Sequence, residues 1–142
     1  MGEQLGSSRP AALRLKVPCE LAQVRSAVQT ARAFLAAQGG SETDLLDCEL
    51  ALVEACTNAI KFASAGPSQN ILLIELLCDA SEIELRVTDS GPGFEWPEHS
   101  TLPEPESEGG RGLFLIRSLM SYANYYRSTA GNILIMRKQR ST

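Results

Sequence analysis

The residues best suited to chemistry in this chain form one row on a predicted helix. Glu54, Asn58 and Lys61 are separated by four and then three residues, so they share one helical face. A carboxylate, a carboxamide and an amine in one line suit a hydrated Mg²⁺ ion and a polyphosphate, because the metal prefers oxygen ligands and the phosphates attract positive charge. The alternative is the ordinary solvated face of an amphipathic helix.

A second candidate is the carboxylate of Asp89. In residues 83–89 the odd positions are apolar up to Asp89, so strand alternation turns this carboxylate to the buried face, where it requires a partner. The segment Ser90-Gly91-Pro92-Gly93-Phe94 follows, and its glycines allow close backbone approach. This pattern suits the floor of a ligand pocket, and a tight turn with an ordinary Asp is the alternative.

A third candidate is Gly110-Arg111-Gly112, which leads into a predicted helix at Leu113. Bare amides and the positive end of a helix dipole suit phosphate groups, although a flexible junction would use the same residues. The chain has no P-loop, and the glycines after Asp89 do not form a dinucleotide fingerprint, because the third glycine is missing and Pro97 follows.

Composition narrows the class of protein. The 142 residues include 13 Lys and Arg against 17 Asp and Glu, a net charge of −4, which fits a single globular domain. The basic residues do not cluster, which argues against nucleic-acid binding. No apolar stretch approaches the roughly 18 residues of a membrane span.

The cysteines point to a reducing compartment. Cys19, Cys48, Cys56 and Cys78 form no C-x-x-C pair, and the chain has one histidine, so we expect reduced, mostly buried thiols and no zinc site. The segment Met1 to Pro10 lacks the basic cluster and apolar region of a secretory signal. Together these features indicate the cytoplasm.

Hydrophobic periodicity predicts the order β-α-α-β-β-loop-α-β. The second helix begins with Ser41 and Asp44 in a pattern typical of a helix cap, and its apolar stripe faces the core. Hairpin-linked strands and consecutive helices predict an α+β fold, in which a mixed, largely antiparallel sheet carries its helices on one face. The predicted strands are 13–17, 71–78, 83–89 and 132–138; the helices are 21–38, 41–65 and 113–122; the helical stripe is Leu45, Leu52, Cys56, Ala59 and Ala63.

The three candidate motifs together resemble those of the GHKL ATPase superfamily and, within it, the small bacterial anti-sigma-factor serine/threonine kinases. The segment Glu54-Ala55-Cys56-Thr57-Asn58-Ala59 resembles the N box, Asp89 to Phe94 the first glycine box, and Gly110 to Leu115 the second. The resemblance covers about Leu13 to Lys138. It implies a two-layer α/β sandwich of the GHKL type, with a flexible tail at 1–11, one ATPase or kinase domain at 12–139 and an ATP lid at 95–109.

The resemblance also implies how ATP and Mg²⁺ would be held. Asn58 would coordinate the metal ion, Asp89 would accept a hydrogen bond from the adenine amino group, and Gly91 and Gly93 would border the base. Glu54 would act as the general base that takes the proton of a substrate hydroxyl during in-line transfer.

The resemblance implies that the second glycine box contacts the phosphates. Gly110, Gly112 and Leu113 would lie against the phosphates in the resembling family. Lys61 and Arg111 are further candidates for phosphate contacts because of their positive charge.

Two positions depart from the family pattern. Phe62 stands where a histidine usually follows the N-box Asn, and Gly131-Asn132 stands where the last strand often opens with Gly-Thr. The first departure implies altered positioning near the metal. The second implies a weakened hydrogen-bond network around Asp89.

The function implied by the resemblance is phosphorylation of a Ser or Thr of a STAS-type anti-sigma-factor antagonist, with a sigma factor as a second partner and a homodimer as the usual assembly. The alternative is a non-catalytic, nucleotide-gated regulator of the same partners. A complete histidine kinase needs a phosphoacceptor histidine, whereas His99 lies in a proline-rich loop. Gyrase-type and chaperone-type relatives need further domains. The acidic loop 95–108 is predicted to be a mobile ATP lid that closes when Mg²⁺, Arg111 or a partner offsets its repulsion from the triphosphate, and a plain solvated loop is the alternative.

Overall fold

A computed structural model describes residues 10–61, 71–91, 110–128 and 131–141, apart from the side chain of Arg111. Within these ranges the chain forms five strands and three helices. The strands are β1 Ala11–Pro18, β2 Ile71–Cys78, β3 Glu82–Asp89, β4 Tyr122–Ser128 and β5 Gly131–Gln139, and the helices are α1 Leu21–Ala37, α2 Glu42–Lys61 and α3 Gly110–Leu119.

The strands form one sheet in the order β1-β2-β3-β5-β4, and every neighbouring pair is antiparallel. Leu76 in β2 lies opposite Leu13 and Leu85, and Leu85 lies opposite Met136, so apolar side chains meet across the sheet on one face. The predicted α+β fold is confirmed, and the sheet, which was predicted to be mixed and largely antiparallel, is antiparallel throughout the described residues. None of the helices in the described ranges is long and apolar enough to cross a membrane.

The predicted end of the last helix is wrong, and a strand was missed. Helix α3 ends at Leu119, and Tyr122 begins β4, which pairs with β5 as a second hairpin. The change of course occurs at Ser121, whose backbone N–H and hydroxyl both donate to the carbonyl of Arg137 in β5, at 2.8 and 2.9 Å. The Ser121 N–H therefore bonds to β5 instead of continuing the helix, and the chain enters the sheet at this point.

The other predicted boundaries differ less. Strand β1 already includes Ala11, which the sequence assigned to the tail, and residues 1–9 lie outside the described residues. Helix α2 is described as far as Lys61, so its predicted extension to residue 65 also lies outside.

The core lies between the sheet and its helices. Leu45, Leu52, Cys56 and Ala59 of α2 are buried, as the predicted stripe requires, and they meet the inward residues of β2, β3 and β5. All four cysteines are buried free thiols, which confirms that prediction. Burial raises the pKa of both Cys48 and Cys56 to about 12, so these thiols stay protonated and unreactive.

The end of the sheet where β3 begins and β5 finishes is closed by a polar cluster, the C-terminal clamp, which consists of Asp44, Lys138, Arg140 and Ser141. The fully buried Asp44 accepts hydrogen bonds from the backbone N–H and hydroxyl of Ser141, at 2.9 and 2.8 Å, and lies 3.5 Å from the Lys138 ammonium. The Asp44 N–H donates to Ser41 Oγ at 3.1 Å, an N-cap bond that confirms the predicted helix start.

The remaining clamp residue joins three parts of the chain. Arg140 donates to the carbonyls of Gln38, after α1, and Asp79, after β2, at 2.8 and 2.7 Å. Its own N–H donates to the carbonyl of Ser81 at 2.9 Å. The clamp therefore fixes the first turn of α2, the helix whose other end carries the candidate N box.

Candidate nucleotide site

Helix α2 presents Glu54 and Asn58 to the first turn of α3. A Cβ atom built on Gly112 would lie 2.5 Å from Glu54 Oε1 and 3.6 Å from Asn58 Nδ2, so the two side chains reach the space that this glycine leaves empty. Asn58 is only 5% exposed, which excludes a solvated polar face for this residue. Lys61, at the end of the helix, is exposed.

The side-chain nitrogen of Asn58 is buried and has no hydrogen-bond partner among the described residues. An unsatisfied buried amide end costs about 1–3 kcal/mol, so this group requires a partner beyond the described residues. A half-turn of the carboxamide exchanges Nδ2 for Oδ1, an oxygen that Mg²⁺ accepts as a ligand. The chemistry and burial of Asn58 therefore fit a metal ligand.

A small pocket connects α2 with the ends of β3 and β5. Its cavity volume is about 10 Å³, room for about one water molecule, and it opens toward the surface. Asn58 and Asp89 both line it, which brings together two motifs that lie 31 positions apart in the sequence. Its other lining residues are Ala55, Ala59, Val87, Tyr125 and Leu134.

Asp89 is half-buried at the end of β3, on the side of the sheet that strand alternation predicts. Its Oδ1 accepts the N–H of Gly91 at 2.8 Å, which forms a tight Asx turn. Burial, and secondly the negative charge of Asp89, raise the pKa of the nearby Cys19 thiol, so that group remains neutral beside the carboxylate.

The expected weakening of the network around Asp89 is wrong. Asn132 is 2% exposed, and its Nδ2 donates to Asp89 Oδ1 at 3.1 Å and to the carbonyl of Gly91 at 2.7 Å. The departure from Gly-Thr thus supplies two donors from one side chain, because a carboxamide nitrogen carries two hydrogens.

The glycine that precedes Asn132 is required by the backbone. Gly131 has a φ of 145°, and a Cβ there would lie 3.0 Å from the carbonyl oxygen of Asp89. Only glycine adopts this conformation readily, so Gly131 lets β5 approach the end of β3 closely.

The second glycine box lies inside a helix rather than before it. Helix α3 begins at Gly110, three residues earlier than predicted, so Gly110 and Gly112 belong to its first turn, and Leu113 is buried behind them. The N–H groups of a first turn have no partners within the helix and are available to an anion. The remaining predicted features, which are Phe62, Gly93, the lid 95–109 and His99, lie outside the described residues.

Sequence reasoning missed one residue of the pocket wall, Tyr125. It comes from the overlooked strand β4 and lies opposite Leu134 of β5, which also lines the pocket. The aromatic-rich segment Tyr122-Ala123-Asn124-Tyr125-Tyr126 was the available signal, because tyrosine favours strands.

Comparison with known proteins gives the family of this chain. The family model described as the histidine kinase-like ATPase domain matches residues 17–138, and the chain belongs to this family. Serine-protein kinase RsbW of Staphylococcus aureus is 27% identical over 132 residues, which cover 85% of this chain and 82% of the relative.

Two solved structures share the fold. The RsbU and RsbW domains of Rv1364c from Mycobacterium tuberculosis match with a TM-score of 0.72 at 19% identity, covering 93% of this chain and 33% of that one. This chain thus spans about a third of the mycobacterial protein. A chain of the SiaB-SiaC complex from Pseudomonas aeruginosa matches with a TM-score of 0.62 at 13% identity, covering 96% and 94%.

Proposed function

We propose that this protein is an anti-sigma-factor-type serine/threonine kinase, which binds Mg-ATP and phosphorylates a Ser or Thr of an antagonist protein in a partner-switching system. The observation that carries the proposal is the convergence of Glu54 and Asn58 on Gly112, with Asp89 lining the same pocket as Asn58. The membership in the ATPase family and the similarity to a serine-protein kinase support it.

Asp89 and the glycines that surround it would select the base. Both hydrogen bonds described above use Oδ1 of Asp89, so Oδ2 can accept from an exocyclic amino group. Gly91 and Gly93 would border the base next to Asp89.

Asn58 would hold the magnesium ion through its side-chain oxygen. A magnesium ion held there would neutralise phosphate charge during the transfer. The first-turn amides of Gly110 and Gly112 would bind phosphate oxygens, with Leu113 packed behind them and Lys61 and Arg111 adding positive charge.

Glu54 would be the catalytic base. Its carboxylate takes the proton of the substrate hydroxyl as that oxygen bonds to the γ-phosphorus of ATP, the bond from phosphorus to the bridging oxygen breaks, and ADP leaves. The site between α2 and α3 suits this role, because Gly112 leaves room for the Glu54 carboxylate beside the first-turn amides of α3.

The proposal extends to the partners. A STAS-type antagonist would be the substrate and a sigma factor the alternative partner of a homodimer in the cytoplasm. The two structural neighbours, one with RsbU and RsbW domains and the other from a SiaB-SiaC complex, lend support from proteins of the same fold.

Intact-mass analysis of an anti-sigma antagonist incubated with this protein and Mg-ATP tests the proposal. We expect the mass to increase by one phosphoryl group with the wild type, and the rate to fall by about 10²-fold or more with Glu54→Gln. Glu49→Gln is the matched control, since Glu49 lies on the same helix but pairs with Arg32 of α1 at 2.7 Å.

The outcomes separate the two candidate functions. ATP binding measured by calorimetry without any transfer to the antagonist would make the protein a nucleotide-gated regulator. Absence of ATP binding at millimolar Mg²⁺ would refute both.

A further inference from the structure

Asn132 connects two groups at the end of β3 that the proposed base pocket needs in fixed positions. It lies opposite Asp89 in the register of β3 and β5, and it is almost fully buried. Both hydrogens of its Nδ2 are engaged, one by Asp89 Oδ1 and one by the carbonyl of Gly91.

These bonds restrict the Asp89 carboxylate to one orientation. Oδ1 receives two donors, the Gly91 N–H at 2.8 Å and Asn132 Nδ2 at 3.1 Å. With only the Gly91 bond, the carboxylate could turn about its last side-chain torsion, and its plane would no longer aim Oδ2 in one direction. The second donor comes from a different strand, so it fixes the plane of the carboxylate as well as its position.

We propose that Asn132 is a positioning residue for base selection: it commits Oδ1 of Asp89 to the fold and thereby presents Oδ2 to the amino group of the purine. This inference rests on the proposed function, since it requires that the pocket bind a purine nucleotide. A 6-amino purine donates to Oδ2, whereas a 6-oxo purine brings an oxygen against it. A fixed acceptor penalises the 6-oxo base, while a carboxylate free to turn penalises it less.

The test compares the affinities of the intact protein for ATP and for inosine triphosphate, which carries a keto oxygen in place of the amino group. Calorimetry in millimolar Mg²⁺ is performed on the wild type, Asn132→Ala and Asn132→Thr. We expect the wild type to bind ATP more tightly than inosine triphosphate. In Asn132→Ala the ratio of the two affinities should fall about tenfold. Asn132→Thr should be intermediate, because a hydroxyl has one hydrogen and cannot serve both Asp89 and Gly91.

The ratio of affinities separates positioning from a merely structural role. A loss of packing weakens both nucleotides alike, so an unchanged ratio in Asn132→Ala would overturn the proposal. Asn132→Thr carries the test if Asn132→Ala does not fold, since it keeps one donor and a similar volume.

A double mutant locates the effect in Asp89. In an Asp89→Ala background, Asn132→Ala should leave the ratio of affinities unchanged, because the group that it positions is gone. A further change in the ratio would refute action through Asp89. A wild type that binds neither nucleotide would refute the proposed function and this inference together, whereas ATP binding with an unaltered ratio refutes this inference alone.

Discussion

The two ends of helix α2 differ in how their buried polar side chains are bonded. At the clamp, Asp44 is fully buried and has partners for both carboxylate oxygens, from Ser141 and Lys138. At the candidate site, Asn58 is nearly as buried, yet its nitrogen has no partner among the described residues. Both residues lie on the helix α2, fourteen positions apart.

The difference indicates that the two ends of α2 have different roles. A satisfied buried carboxylate fixes the start of α2, while an unsatisfied carboxamide near its end leaves bonding capacity for a ligand. Substitutions at the clamp should therefore change stability, and substitutions at the site should change binding or transfer.

The largest expected effect is at the clamp. Asp44→Ala should lower the free energy of unfolding by about 3–5 kcal/mol, since it leaves Lys138 and Ser141 without their buried acceptor. Urea denaturation measures the loss. Asp47→Ala is the control: the side chain of Asp47 is 18% exposed and pairs with Lys138 at 3.1 Å, whereas Asp44 is fully buried, so the control should cost less, about 1.5 kcal/mol. Equal losses in both variants would contradict the role of Asp44.

At the site, Gly112→Ala should have the reverse profile. The new Cβ would collide with the flexible end of Glu54, which can turn away, so we expect stability to stay within about 1 kcal/mol because alanine also favours the helix. Phosphoryl transfer should fall by about 10²-fold as Glu54 leaves its position. Ser118→Ala, at an exposed position of α3, should transfer at the wild-type rate. A fully active Gly112→Ala would argue against Glu54 as the base.

The contrast is sharpest between two buried asparagines. Asn58→Ala should keep or raise the free energy of unfolding, by up to about 1–3 kcal/mol, because it removes an unsatisfied amide, and it should weaken Mg²⁺-dependent ATP binding. Asn132→Ala should lower stability by a similar amount, because it breaks two bonds. Chemical denaturation measures the stability of both variants. If Asn58→Ala and Asn132→Ala lost the same stability, the two asparagines would not differ as proposed.

Much of this contrast was accessible from the sequence. The shared helical face of Glu54 and Asn58 and the buried orientation of Asp89 follow from helical spacing and strand alternation, because these are local properties of one helix or strand. The N box and the glycine boxes were identified by their resemblance to a known family. The clamp was not predicted, since it joins Asp44 to residues about one hundred positions later, and no local pattern marks such a contact.

Strand β4 and the function of Asn132 were missed for related reasons. Polar residues such as Asn124 and Arg127 interrupt the alternation of this edge strand, so a helix extended to Tyr122 fitted the sequence equally well. From the resemblance we expected Asn132 to weaken the hydrogen-bond network around Asp89, because the family pattern gives the usual residue type, Thr, but not the geometry of an Asn in its place. The lid at 95–109 remains a prediction, which hydrogen exchange in the empty, ADP-bound and Mg-ATP-bound protein can test.

The smallest expected effect is the acid response of the clamp, because protonation removes one charge and leaves every atom in place. Burial alone would raise the pKa of Asp44, but the bonds from Ser141, the Lys138 charge and Ser41 together lower it below its ordinary value of 3.8. A lowered pKa means that the stability from Asp44 is complete above pH 3.8 and is lost as the pH falls through the folded-state pKa.

The measurement is the difference in the free energy of unfolding between wild type and Asp44→Ala through the acid range. Other acids with lowered pKa values, such as Asp79 and Glu84, are present in both proteins and cancel in this difference. We expect the difference to be constant above about pH 4 and to shrink below it. The raised pKa of Lys138 gives the opposite dependence at alkaline pH. The stability that Lys138 contributes is complete below pH 10.5 and is lost as the pH rises through its folded-state pKa. A difference that stays constant in acid would mean that the Asp44 charge does not stabilise the clamp, and the two ends of α2 would then differ only in packing.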